Sequence, residues 1–428
     1  MLWNASSLKL PRRSARRAGF LVALLLVLAW PPALAGPLDD IQAGLEAQKR
    51  GNLGLALRLF DKAIASGSLA PETMGVAHFR RGQIFRQRDD LTRALRELTM
   101  ALELRPDLAR AYYERGRVLM SLGRMQDALT NLTRASELQP EDPDPYAARA
   151  EYYLQAGDGA SARQEATTAI ERDPESARSY FLRATALYRL ERFEAAVGDY
   201  DVALRLKPED PLFHRDRGRA AAKAGDTARA IADFDAAIRF QPVNPVAYRL
   251  RGDSYRELGQ IDQALKDYNR AINLDPNYER AFFERARAFI GAGRVEEAVK
   301  DLNSAIAVNP DYVEAYNARG IIRLQLGRGV QAIQDMTQAI RLLPKEATLR
   351  NNRGSALFRL GRSEEAIADF SEAIRLKPDY AQAYVNRALV HESLGNRDLA
   401  IADYQAAQRY RPDHRWLQNK LRRLQESG

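Results

Sequence analysis

Cysteine is missing from all 428 residues, so no disulfide can staple this chain and no thiolate can ligate a metal. Histidine is scarce, with four copies, which leaves few candidates for imidazole catalysis or metal ligation. Tryptophan is nearly absent: Trp3 and Trp30 fall in the first 35 residues, and only Trp416 lies beyond them. That counts against a carbohydrate site, where rings stacked beside carboxylates are expected. There is no Gly-rich phosphate loop, no Gly-x-Ser-x-Gly elbow and no His-Glu-x-x-His helix, so no catalytic residue, metal or cofactor is assigned. The apolar run from Phe20 to Trp30 is shorter than the ~20 residues of a comfortable membrane span.

Proline, by contrast, keeps a strict period. It recurs every 34 residues at Pro106, Pro140, Pro174, Pro208, Pro242, Pro276, Pro310, Pro344, Pro378 and Pro412. Alanine stands twelve residues before each of the ten (Ala94 to Ala400) and again five before (Ala101 to Ala407), while the position 24 before holds only Gly or Ala. Small residues at fixed places let helices approach closely, and each period has room for two helices of about 13 residues with two turns. Glycine seventeen residues before eight of the prolines, from Gly123 to Gly395, is placed to cap the first helix in the left-handed conformation; Asp89 and Glu191 depart from it. The proline ends the second helix, and the polar residue that often follows, as at Asn277, Asp311 and Asp379, is expected to begin the next.

Large residues beside the small columns, such as Tyr112, Tyr146 and Phe282 in the first helix and Tyr200, Phe234 and Phe370 in the second, read as core. His78 and His214 share the first of these columns, and His391 shares another with Phe85 and Tyr153, so all three read as core substitutes. One polar pattern is equally regular. Arginine stands 25 residues before every proline, and nine residues before each stands an acid, Asn131 excepted. The pairs include Arg183 with Asp199, Arg217 with Asp233, Arg251 with Asp267, Arg285 with Asp301, Arg319 with Asp335, and Arg353 with Asp369. Such columns could form an arginine track for an anionic ligand or an internal ladder of ion pairs. Unvarying repetition favours the ladder, because a specific ligand calls for different residues at different depths.

On these residues the chain resembles the tetratricopeptide repeat family from about residue 40 to residue 414. The resemblance implies an all-α, right-handed superhelical solenoid of about eleven helix-turn-helix units, with a concave groove lined mainly by first helices. Residues 36–74 form an irregular first unit with a longer exit loop at Ser66 to Thr73, residues 75–414 form ten regular units, and 415–428 form a capping helix carrying Trp416, Leu417, Leu421 and Leu424 at helical spacing. Carried onto this sequence, the family's groove positions hold residues that vary between copies: Tyr113, Arg117, Phe181, Tyr188, Arg215, Arg219, Arg249, Phe283 and Arg287. Arginine and aromatics are common binding anchors, which suits a peptide with acidic and apolar side chains.

Lys9, Arg12, Arg13, Arg16 and Arg17 precede the apolar run, and Ala33-Leu34-Ala35 follows it. This reads as a signal peptide cut after Ala35, with an uncleaved anchor as the alternative. Those five charges account for most of the +9 net charge, so the exported chain would carry +4, too little to point to nucleic acid. The expectation is a non-catalytic adaptor for other proteins or peptides, periplasmic or secreted, with no stable membrane span after cleavage. The alternative is an accessory factor that binds glycan or assists a carbohydrate-processing or secretion system.

Overall fold

A computed structural model of the chain describes residues 36–412 and 414–426; the expected signal peptide lies outside them. Among the described residues there are 23 α-helices and no strand. The chain divides into two compact units at Leu190 and Glu191. The first holds α1 (Pro37–Lys49), α2 (Leu53–Ala65), α3 (Pro71–Gln87), α4 (Leu91–Leu104), α5 (Ala109–Ser121), α6 (Met125–Leu138), α7 (Pro143–Gln155), α8 (Gly159–Arg172) and α9 (Ala177–Arg189). The second holds α10 (Phe193–Leu206), α11 (Pro211–Lys223), α12 (Thr227–Phe240), α13 (Pro245–Glu257), α14 (Ile261–Leu274), α15 (Glu279–Gly291), α16 (Val295–Val308), α17 (Val313–Gln325), α18 (Gly329–Leu342), α19 (Ala347–Arg359), α20 (Ser363–Leu376), α21 (Ala381–Ser393), α22 (Arg397–Tyr410) and α23 (Arg415–Glu426).

Odd-numbered helices up to α21 are the first helices of repeats. Within each unit a first helix packs against its following second helix, and the second helix against the first helix of the next repeat. The alanines twelve and five residues before each proline have no exposed surface. They are the points where second helices touch their neighbours. Glycine 24 before the proline serves the same approach: a Cβ added at Gly354 would lie 2.8 Å from Phe370 Cε1, closer than side chains pack.

The turn between the two helices of a repeat is fixed by one residue in the left-handed region. Gly123 (φ 73°) donates its N–H to Met120, and Arg124 donates to Leu119, closing the end of α5. Asp89 (φ 60°) and Glu191 (φ 58°), the two departures from glycine, take the same conformation. The opposite turn differs from expectation by one residue. First helices are capped two positions after the proline, by Asp142, Asp210 and Asn244, whereas Asn277, Asp311 and Asp379 precede the uncapping tyrosines Tyr278, Tyr312 and Tyr380.

A second difference concerns the irregular first repeat. Its connection to α3 is short, residues 66–70, because Pro71 already occupies the first turn of a helix. The extra residues lengthen α3 to 17 residues, against 13 in α5 and α7, rather than widening a loop. At the other end, Leu417 and Leu421 of α23 are buried against Tyr404 and Ala407.

Candidate functional site

Two polar systems are built on the first helices. One is the constant arginine column. Arg285 Nε and Nη2 donate to Asp301 at 2.7 Å each, and its Nη1 donates to Asn269 of the preceding second helix at 2.5 Å. Arg251 joins Asp267 and Asp235; Arg319 joins Asp335 and Asn303; Arg353 joins Asp369 and Thr337. Arg217 likewise reaches Asp233 and Asp201. Where Asn131 replaces the acid, Arg115 still donates to its Oδ1 at 2.8 Å. Each of these guanidinium groups therefore ties its own second helix to the one before. The acids are almost fully buried, with Asp301 and Asp335 side chains 8% and 5% exposed. Burial alone would raise the Asp233 pKa, but the nearby His214 ring, 3.8 Å away, and the hydrogen bonds from Arg217 hold it below the usual carboxylate range. Arg183 stacks over Tyr180 at 5.6 Å in the first unit, and Asp199 is buried in the second.

His214 behaves as the aromatic residues of its column do. Its Nε2 lies 2.8 Å from the Pro208 carbonyl oxygen, matching Tyr146, whose hydroxyl donates to the Pro140 carbonyl at 3.2 Å.

The second system lies on the face where first helices meet one another. Tyr113 and Arg249 are buried, so neither presents an open surface. Phe181 and Tyr188 are half-buried on α9, and Phe283 packs against Tyr312 with ring centroids 5.3 Å apart. The arginines expected to await an acidic ligand already have carboxylate neighbours. Arg117 lies 3.3 Å from Glu151, which also takes Arg178 at 2.6 Å. Arg215 and Arg219 lie 2.9 and 3.4 Å from Asp216. Arg249 pairs with Asp253 and donates to the Tyr278 hydroxyl at 2.6 Å. Arg287 lies 3.0 Å from Glu284.

Sequence reasoning missed the buried acids at the centres of these clusters, Glu114, Asp216 and Glu284, each under 10% exposed. They occupy one repeat position, 26 residues before the proline, but that position holds Leu182, Leu250 and Ala318 in other copies and so carries no periodic signal. Burial raises the Asp253 pKa to about 6 despite the opposing pull of Arg249, and desolvation pushes Tyr312 up to about 12. Asn352 donates to Asn317 at 3.1 Å and Asn386 to Asn351 at 2.8 Å, forming a short amide patch farther along the same face. Among the described residues no cluster of His, Asp and Glu could hold a metal ion, and no helix is long and apolar enough to cross a membrane.

Helix pairs repeated at one spacing, joined by left-handed turns and buried alanine columns, define a helical-repeat protein. Family models described as "Tetratricopeptide repeat" match residues 41–107, 82–152, 147–211, 182–252, 283–347 and 381–414, and one described as "TPR repeat" matches 252–293 and 354–395. The chain belongs to the tetratricopeptide repeat family. Among solved structures it is similar to yeast Tom70, with 17% identity and a TM-score of 0.49 over 91% of this chain and 96% of that one. It is also similar to the Cut9–Hcn1 hetero-tetramer of APC/C, with 16% identity and a TM-score of 0.48 over 95% of this chain and 98% of that one. YrrB, a TPR protein with an unusual peptide-binding site, shares 20% identity at a TM-score of 0.38, over 44% of this chain and 96% of its own. No curated protein matches by sequence.

Proposed function

We propose that this chain is an exported, non-catalytic adaptor of the bacterial cell envelope that holds partner proteins on the face where its first helices meet. Tetratricopeptide repeats are a general protein–protein interaction scaffold, and family matches run from residue 41 to residue 414. The observation that carries the reading is a contrast between columns. The ladder arginine is constant in all ten copies and its acid in nine, whereas the face beside it varies along the array, from Glu114 with Arg86 to Asp216 with Arg215 to Glu284 with Arg287. A part that only holds helices together can be copied; a part that recognises something has to vary along its length.

Export rests on residues 1–35 alone, and the expected mature protein begins at Gly36. N-terminal sequencing of protein recovered from the envelope fraction checks this, and an intact Met1 in that fraction would refute cleavage.

The function itself is tested by crosslinking tagged chain in its native envelope and identifying captured proteins by mass spectrometry. A parallel variant carries Arg215→Ala, Arg219→Ala and Phe283→Ala. Capture by the parent and loss by a variant of equal helicity supports the reading. Equal capture by both would remove the working surface from these residues.

A further inference from the structure

Resting on that reading, the part of the face between α13 and α17 has chemistry of its own. Arg249, Arg256, Arg280 and Arg287 gather there around two carboxylates, Asp253 and Glu284, leaving two positive charges in excess among the groups in contact. Arg249 is buried and already bonded to Asp253 and Tyr278. The other three share Glu284. Its Oε2 has Arg287 at 3.0 Å and Arg256 at 3.6 Å, and its Oε1 has Arg280 at 3.8 Å, beyond hydrogen-bond reach.

Three guanidinium groups thus divide one carboxylate, and donors outnumber acceptors. Arg256 Nε is buried without a hydrogen-bond partner. Glu284 is only 4% exposed, whereas Arg280 and Arg287 are 59% and 47% exposed and face outward on either side of it. The rings of Phe283 and Tyr312 lie alongside. The other centres of this face put fewer cations on one carboxylate than the three at Glu284: Asp216 has two arginines, and Glu114 has Arg86 at 2.7 Å and the neutral Gln83 at 3.0 Å.

We infer that Arg280 and Arg287 receive one acidic side chain from a peptide segment of a partner protein, with the adjoining apolar residue of that segment against Phe283 and Tyr312. A carboxylate arriving there gives Arg280 the bidentate acceptor that Glu284 is too distant to supply. Glu284 remains in place beneath and repels a second negative charge, so a singly charged carboxylate fits better than a doubly charged phosphate. Glu279 and Glu314, within electrostatic reach of Tyr312, border the site and oppose a polyacidic run. The aromatic pair favours a peptide over a small inorganic anion.

The test uses the full chain and two capped peptides, Gly-Ser-Phe-Glu-Leu-Ser-Gly and the same sequence with Gln for Glu, followed by isothermal titration. The Glu peptide is expected to bind about tenfold more tightly, a preference that Arg280→Ala with Arg287→Ala abolishes. Both arginines are exposed, so helicity should be unchanged by circular dichroism. Glu284→Gln gives the opposite sign: removal of the competing carboxylate should raise affinity for the Glu peptide. Equal binding of the two peptides, no binding of either, or displacement by inorganic phosphate at matched concentration would overturn the inference. Partner capture on crosslinking persists in that case if the scaffold reading is right, so the two failures are separable.

Discussion

Arg285→Met and Arg319→Met delete chemically identical rungs, yet the structure assigns them different costs. Each removes two hydrogen bonds to a buried aspartate. Asp335 keeps a second cation, Arg323 at 2.8 Å, whereas the ion pairs of the described residues give Asp301 only Arg285. Breaking a buried pair costs about 3–5 kcal/mol because the remaining charge is stranded. Arg285 is 19% exposed, so water reaches the edge of the pair and the lower end applies, about 3 kcal/mol. With Arg323 still present, Arg319→Met should cost about 1–2 kcal/mol, nearer the loss of ordinary charge-assisted hydrogen bonds. Adding Asp301→Leu to Arg285→Met should recover most of the loss, since nothing charged is left behind. A repeat array need not unfold in one step, so the readout is native-state hydrogen exchange of α15 and α16, where 1.4 kcal/mol is a factor of about ten. Arg285→Met is therefore expected to speed exchange by roughly a hundredfold there and little in α21. Equal effects of the two substitutions, or both below about 1 kcal/mol, would refute the argument that stranded charge sets the cost.

Burial raises the Asp253 pKa to about 6 in the folded chain, above the ordinary aspartate value of 3.8, so the folded state holds the extra proton and stability from this group is gained as pH falls from about 6 toward 4. Local exchange in α13 and α14 should slow between pH 8 and pH 5 by on the order of 1 kcal/mol after correction for intrinsic rates, and Asp253→Asn should flatten the dependence. Glu191 bears a side chain in the left-handed region at φ 58°, and Glu191→Gly should stabilise by about 1 kcal/mol in thermal melts, the reverse of the usual effect of glycine. Leu417 of α23 is 2% exposed against α22, so Leu417→Ala should cost about 2–3 kcal/mol and fray α23 and then α22, read as accelerated exchange confined to the C-terminal end.

Much of the fold was legible because it is periodic. Ten identical alanines in register can only mean a repeated close approach, and eight turn glycines fix where the pairs reverse; even Asp89 and Glu191 are visible as exceptions occupying the same slot. Periodicity is also why the rest was hidden. Glu114, Asp216 and Glu284 draw no attention in a column otherwise filled by Leu, Ala, Asn or Arg, and without them the arginines of the face look unpartnered. The residues seven before each proline, such as Asp235, Asn269, Asn303 and Thr337, were missed for another reason: they are alike only in accepting a hydrogen bond, not in identity. Residues 71–73 read as loop in the sequence since polar, Pro-containing segments usually are, but proline at a helix start is pre-organised for the first turn, and they open α3 instead.

Eight ladder arginines reach sixteen residues forward and sixteen residues back, as Arg285 does to Asp301 and Asn269. A gene that lost or duplicated one complete period would still offer every guanidinium a mate on both sides, whereas a deletion of a few residues within a second helix would misalign two rungs at once. The early repeat shows the tolerated alternative: Arg81 finds Asp61 twenty residues back, because the added turn of α3 precedes the arginine and leaves its own helix face unrotated. Length in this chain is thus quantised, free to change by whole repeats or at helix starts, and the same arithmetic lets a recognition face be lengthened without redesigning what supports it.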